Sequence, residues 1–393
     1  MSCKCKCGNY PTNPAQLLNQ SAAVHAFHGV QSHPLPRPCS QYTERAIWGG
    51  SAPNSSFANG SFHSPSGVVV DGSGQIYVAD TYNNRIQKFD PQGNFITYFG
   101  TSAPSSNSAN SSFHYPIGIA VDGYGHVYVA DSFNNRVQKF DPQGNFITFF
   151  GASAPSSSSA NGSFNIPYGV AVDGSGNVYV ADTSNNRIQK FDPQGNFITY
   201  FGASAPSTSS ANGSFHYPWG ITVDGNGDVY VSEPANNRVQ KFDAQGNFIT
   251  YFGASAPNAS SANGSFNSPQ GVAVDGSGNI YVTDTNNNRI QKFDSQGNFM
   301  TYFGASAPNS SSANDSFYLP YGIAVDGSGH VYVADRFNNR VAVYATPSPP
   351  PPSPPPHSPP PPSPPPPSLP PPSPPSHSPS PPSTPPSPTQ AAR

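Results

Sequence analysis

The stretch Gly118-Ile119-Ala120-Val121-Asp122-Gly123-Tyr124-Gly125, continued by Val127-Tyr128-Val129-Ala130-Asp131 and Asn134-Asn135-Arg136-Val137-Gln138-Lys139-Phe140, decides the architecture. Its first four residues form a short apolar run that predicts a buried inner strand, and Asp122-Gly123-Tyr124-Gly125 supplies a tight turn. Val127–Ala130 predicts a second strand. Val137-Gln138-Lys139-Phe140 alternates apolar and polar residues, as a half-buried third strand does. Asp141-Pro142-Gln143-Gly144-Asn145 then turns the chain, Pro presetting φ and Gly accepting a positive one. Phe146-Ile147-Thr148-Phe149-Phe150 predicts an outer fourth strand, and a Ser/Asn-rich connection follows.

This unit recurs with a period of 51 residues that never slips: Asp71, Asp122, Asp173, Asp224, Asp275 and Asp326 keep it, as do Arg85, Arg136, Arg187, Arg238, Arg289 and Arg340. A fixed period of that length, filled with short strands, predicts the blades of an all-β propeller. Inner strands occur six times, but complete fourth strands follow only the first five, because the last repeat stops at Arg340-Val341-Ala342-Val343-Tyr344. Upstream, Ala46-Ile47-Trp48-Gly49 stands 51 residues before Thr97-Tyr98-Phe99-Gly100. The expected fold is therefore a six-bladed β-propeller of four-stranded blades, closed by an N-terminal outer strand that pairs with the last three strands. Such a seam leaves no open ring ends to invite aggregation.

Three regions follow. Residues 1–40, a polar Cys-containing segment, are expected to be disordered, and residues 41–345 form the propeller. Residues 346–393 are an expected disordered tail dominated by Pro and Ser. Pro lacks an N–H and fixes φ, so the tail predicts polyproline II spacing or a ligand for domains that read that helix. Its Ser-Pro-Pro-Pro-Pro runs resemble hydroxyproline-rich wall glycoproteins of algae and plants.

Charged residues make up only 9% of the 393, and the net charge is −3. Nearly all of that charge sits on the repeat lattice; Glu44, Asp228 and Asp315 are the acids outside it, and Arg45 and Arg336 are among the extra bases. No concentrated basic face is expected, so nucleic acid is not an expected partner. The four cysteines, Cys3, Cys5, Cys7 and Cys39, all precede the repeats, so the blades must hold without disulfides. Cys-x-Cys-x-Cys suggests a soft-metal or acylation segment. No apolar stretch reaches membrane-spanning length. The first twenty residues carry no secretory leader, which points to the cytoplasm. The tail and the sequons at Asn54, Asn59, Asn110, Asn161, Asn212, Asn258, Asn263, Asn309 and Asn314 point outside the cell instead.

The string Pro167-Tyr168-Gly169-Val170-Ala171-Val172-Asp173, then Val178-Tyr179-Val180-Ala181-Asp182, then Asn185-Asn186-Arg187-Ile188-Gln189-Lys190-Phe191, resembles an NHL repeat and recurs in every blade. The resemblance implies a recognition module of the kind attached to other domains. Similar rings occur in tripartite-motif ubiquitin ligases, in the lyase half of peptide-amidating enzymes and in bacterial receptor kinases. The chain lacks the spaced Cys/His pairs of a RING, and its arginines are copied in every blade rather than singled out. Only the ring itself carries over.

Most chemistry-bearing positions read as structure. The repeated Asp80/Arg85 pair suits a turn that joins strands two and three. Asp224-Gly225-Asn226-Gly227-Asp228 starts like a calcium loop, but Val229 and Ala235 stand where Gly and Glu are required, so it reads as a hairpin turn. His63, His114 and His216 share one slot with Asn165, Asn267 and Tyr318, and read as polar loop residues rather than metal ligands. No nucleophile elbow or pair of off-lattice carboxylates appears, so no catalytic residue, metal or cofactor is expected. What varies is the residue after each Pro before the inner strand (Ser66, Ile117, Tyr168, Trp219, Gln270, Tyr321) and the one two after the recurring acid (Tyr82, Phe133, Ser184, Ala235, Asn286, Phe337). The expected binding residues are Tyr82, Phe133, Tyr168, Trp219, Tyr321 and Phe337, on the face that carries the long loops. The expected function is non-enzymatic recognition of a protein, peptide or glycan. The alternatives are a substrate receptor for ubiquitin ligation and a metal-dependent lyase or lactonase.

Overall fold

The computed structural model describes residues 42–49, 57–100, 109–151, 158–202, 210–253, 260–304 and 315–345. The Cys-containing segment, the Pro/Ser tail and the sequons at Asn54, Asn258, Asn309 and Asn314 lie outside the described residues. Twenty-four strands, β1 to β24 in chain order, make six four-stranded antiparallel sheets. In the third blade the order is β10 (Pro167–Val172), β11 (Val178–Asp182), β12 (Arg187–Phe191) and β13 (Phe197–Gly202). The others repeat it.

Each blade is too thin to hold a core of its own, so the cores lie between blades. Ala120, Tyr128, Ala130 and Val137 of the second blade pack with Phe150, Phe164, Val170, Val178, Val180 and Phe191. All five residues of β11 are therefore buried, whichever face they occupy. The half-buried third strand expected from alternation needs correction. In Arg136–Phe140 only Lys139 is partly exposed, and Gln138 is 0% exposed. Alternation marked a polar side chain, but the loop entering the blade covers it, and the Gln138 amide donates to the Ser112 carbonyl and the Asp131 carboxylate. Outer strands keep the alternation: Ile96 and Tyr98 face solvent while Phe99 is buried.

The inner strands approach so closely that only glycine fits. A Cβ on Gly169 would collide with the Trp219 carbonyl oxygen of the next blade, and the equivalent glycines Gly67, Gly118, Gly220, Gly271 and Gly322 meet the same obstacle.

The ring closes as the spacing predicts. β1 (Thr43–Gly49) pairs antiparallel with β24 (Arg340–Ala345), Trp48 opposite Val341, in the sheet that contains β22 (Pro320–Val325) and β23 (Val331–Asp335). Trp48 lies between Phe89 and Tyr332, with ring centroids at 6.2 and 5.7 Å. Tyr42, just ahead of the strand, stacks on Phe303 at 4.5 Å and hydrogen-bonds the Tyr281 hydroxyl at 2.9 Å. Burial of these rings against both neighbouring blades makes the seam as firm as the other interfaces.

The Asn-Asn-Arg triplet explains how loops and blades are tied. Asp182 is 0% exposed. Its carboxylate accepts from the Asn165 N–H at 2.7 Å, the Asn185 amide, Arg187 Nε at 2.8 Å and the Gln189 amide. Burial raises its pKa, and the Asn165, Asn185 and Arg187 donors oppose that rise. The same guanidinium reaches onward to the carbonyls of Ala160 and Ser163. The middle residue, Asn186, sits at φ 53° after a single 3₁₀ turn, and its side chain accepts the N–H of Tyr217 in the next blade. Tyr217 precedes Pro218 and is itself held at φ 51°. Non-glycine residues resist that region, so the Asn latch is what stabilises it.

Two pairs of substitutions test this account. Arg187→Ala leaves the buried Asp182 carboxylate without its counter-charge and should cost about 3–5 kcal/mol in denaturant unfolding, whereas Arg45→Ala, on an exposed bond to His330, should cost less than about 1 kcal/mol. Gly169→Ala should destabilise by about 1–3 kcal/mol, while Gly174→Ala, with nothing within 4 Å of its Cβ, should be near neutral in the same melt.

Candidate functional site

Antiparallel alternation sorts the connections between two ends of the ring. The Asp71–Gln75 and Asp90–Asn94 turns, with their counterparts, lie at one end. The Asp80–Arg85 loops and the links between blades lie at the other. At that long-loop end the channel opens into a cavity of about 80 Å³ lined by Ser66, Ile117, Tyr168, Trp219, Gln270 and Tyr321 with the glycines behind them. A larger cavity of about 180 Å³ opens at the opposite end, walled by the aliphatic inner strands. Val68, Ile119, Val170, Ile221, Val272 and Ile323 border both cavities and form the waist between them.

Tyr168, Trp219 and Tyr321 meet at the mouth. The Tyr168 and Trp219 ring centroids are 4.1 Å apart, and Trp219 meets Tyr321 edge-on at 5.9 Å although they belong to the fourth and sixth blades. Burial raises the Tyr168 phenol above its ordinary pKa; Tyr321 adds to the rise and Arg336 works against it. Hydroxyls in the second strands fix the backbone here. The Ser232 hydroxyl donates to the Gln270 carbonyl at 2.5 Å, and Thr283 donates to the Tyr321 carbonyl at 2.9 Å. Other blades carry Ala at these positions.

The rim residues join the mouth through one side chain. The Arg336 guanidinium lies 4.2 Å from the Tyr321 ring centroid, 5.8 Å from Tyr82 and 5.7 Å from Phe337. Tyr82 continues to Tyr115 at 5.0 Å, and Tyr115 to Phe133 at 4.9 Å. Tyr82, Phe133 and Phe337 remain 39%, 39% and 44% exposed. The structure thus links all six expected residues in one cluster. Arg336 and Tyr115 complete it, and neither stands at the two variable positions that single out the aromatic residues. Arg336 left a signal: it occupies the slot of Thr81, Ser132, Thr183, Pro234 and Thr285, where no other residue is charged.

The other positions weighed in the sequence make contacts within the fold. His63 stacks on Tyr82 at 4.9 Å, and His114 lies 5.1 Å from Phe133, so both brace the rim. Among the described residues no three His, Cys, Asp or Glu side chains converge as metal ligands. The Asp224 carboxylate accepts the Asn226 and Asp228 N–H groups within its own turn. Glu233 takes the place of Asp in the fourth blade and pairs with Arg238 at 2.6 Å.

The NHL repeat family model matches residues 62–89, 113–140, 164–191, 215–242, 266–293 and 317–344. The chain is 35% identical over 147 residues to the protein brain tumor of Drosophila melanogaster, covering 37% of this chain and 13% of that one. It is 29% identical over 243 residues to peptidyl-glycine alpha-amidating monooxygenase A of Xenopus laevis, covering 59% of this chain and 24% of that one. The chain therefore spans a quarter or less of these relatives. A Bacteroides thetaiotaomicron protein of unknown function superposes with a TM-score of 0.59 at 18% identity over 76% of each chain, a likeness of fold alone. The chain carries six NHL repeats, one to each blade of a six-bladed β-propeller.

Proposed function

We propose that this chain is a non-enzymatic recognition scaffold that grips a peptide segment of a partner protein on its long-loop face. The observation that carries this reading is the gathering of Tyr168, Trp219, Tyr321 and Tyr82 around Arg336, on a frame otherwise copied from blade to blade. Partly exposed rings on a rigid support supply contact area at little entropic cost, which is how hot spots work. A relative named for peptidyl-glycine supports a peptide over a glycan as ligand class. Residues 1–40 and 346–393 then flank a recognition ring, with the Pro/Ser tail as spacer or as ligand for PPII-reading domains.

Panning an immobilised full-length chain against a random peptide library tests the reading. The natural sequence should enrich a consensus. Trp219→Ala with Tyr168→Ala should lose that enrichment by at least tenfold while the melting temperature stays within a few degrees. If the double variant captures the same peptides equally well, the ligand sits elsewhere and the assignment falls.

A further inference from the structure

We infer that Arg336 makes the channel mouth a socket for an acidic side chain, so that the ligand is a peptide presenting Asp or Glu between two apolar residues. This deepens the proposed function and rests on it. A guanidinium that is half-buried normally has a carboxylate beside it. The six lattice arginines all do: Arg85 meets Asp80 at 2.8 Å, Arg136 meets Asp131 at 2.8 Å, and so on to Arg340 with Asp335. Arg336 has no ion pair among the described residues, and its Nε is buried without a hydrogen-bond partner there. Its face is taken by the Tyr321 ring, so the donors left over are those at its edge. An edge of N–H groups held flat against an aromatic ring is pre-organised for a planar anion.

Charge over the whole molecule favours the same end. The acids of the inner turns (Asp71 and its counterparts at intervals of 51), those of the outer turns (Asp90 and its counterparts) and Asp228 all lie at the opposite end of the ring. They outnumber the lysines of that end, Lys88 and its counterparts. At the long-loop end the six recurring acids are cancelled pairwise by arginine, which leaves Arg336 in excess, while Glu44, opposite Tyr344 on β24, belongs to the acidic end. An acidic segment is repelled from one end and admitted at the other.

The cavity at the mouth measures about 80 Å³, and the Tyr321 ring that lines it carries the Arg336 guanidinium against its face. Gln270, 7% exposed at the mouth, has an Oε1 atom buried without a partner among the described residues and would accept an N–H from the same segment. Tyr82 and Phe337, on either side of Arg336, would flank the entering side chain with apolar surface.

The probe is a synthetic peptide library with acetylated and amidated ends, in which a central residue is Glu, Asp, Gln or Lys between random apolar positions. Full-length protein should select Glu or Asp over Gln by at least tenfold, and the preference should shrink as salt rises. Arg336→Gln should abolish it, and Arg336→Glu should turn selection toward Lys, with melting temperatures matched to the natural sequence. Equal capture of Glu and Gln peptides would overturn the inference, as would capture of free C-termini alone or preferred binding of a uronate oligosaccharide. If Arg336→Gln keeps the acidic preference while Trp219→Ala destroys capture, the mouth stands as the site and Arg336 is not its anion receptor. If neither variant changes capture, both readings fail.

Discussion

The interaction on which the rest depends is the buried carboxylate at the end of each second strand. A fully buried charge must collect donors or be lost, and Asp80, Asp131, Asp182, Glu233, Asp284 and Asp335 each collect them from three directions. The backbone N–H comes from the loop that enters the blade, as His63 N–H does for Asp80 at 2.7 Å. The Asn amide comes from the turn itself, and Arg comes from the third strand, joined in the first five blades by Gln. Burial pushes Asp335 up to about 6 despite its Arg340, Asn338 and Tyr318 donors, a measure of how far these groups are from water. Arg85, paired with its acid, spends its remaining donors on the Ala58 and Ser61 carbonyls. One charge thereby fixes the Ala58–Ser61 turn that enters the blade.

That economy leaves the rest of the face free to vary. The Asn latch ties each blade to the next, the glycine approach sets their spacing, and the interblade cores set their tilt. None of these uses the side chain of the residue that follows Pro at the channel mouth, or of the middle residue of the 3₁₀ turn, and that is where Trp219, Tyr321 and Phe337 accumulate. Arg336 takes the first place in its turn, where Thr183 instead donates to the Pro218 carbonyl of the next blade at 2.8 Å. The sequons follow a different logic. The Asn59 side-chain Oδ1 accepts from Arg85 at 3.3 Å, and Asn161, Asn212 and Asn263 do the same for their own arginines. The Asn of these sequons thus extends the network around each arginine.

The repeat length, strand count, ring closure and role of the Asp–Arg pair were legible in sequence, because each is a local pattern copied at a fixed spacing. Trp48 was legible as a closing residue because it stands one period before Phe99. Six variable positions, those proposed as the recognition surface, were legible as departures from a constant background. Alternation misread Gln138, because a period-two pattern reports polarity and cannot see a loop arriving from elsewhere in the chain to cover it. Arg336 escaped for a related reason. One odd charge in a 51-residue lattice says nothing of which rings surround it.

What the linear chain determined by itself was the frame: repeated dihedral preferences and apolar runs admit one blade shape, and six copies with a displaced outer strand admit one closure. Tertiary structure alone decided that Trp219 of the fourth blade meets Tyr321 of the sixth, and that Arg336 joins the mouth to Tyr82 of the first. Those partners are brought together by the curvature of a closed ring, which places residues from opposite blades across a narrow channel whatever their distance along the chain.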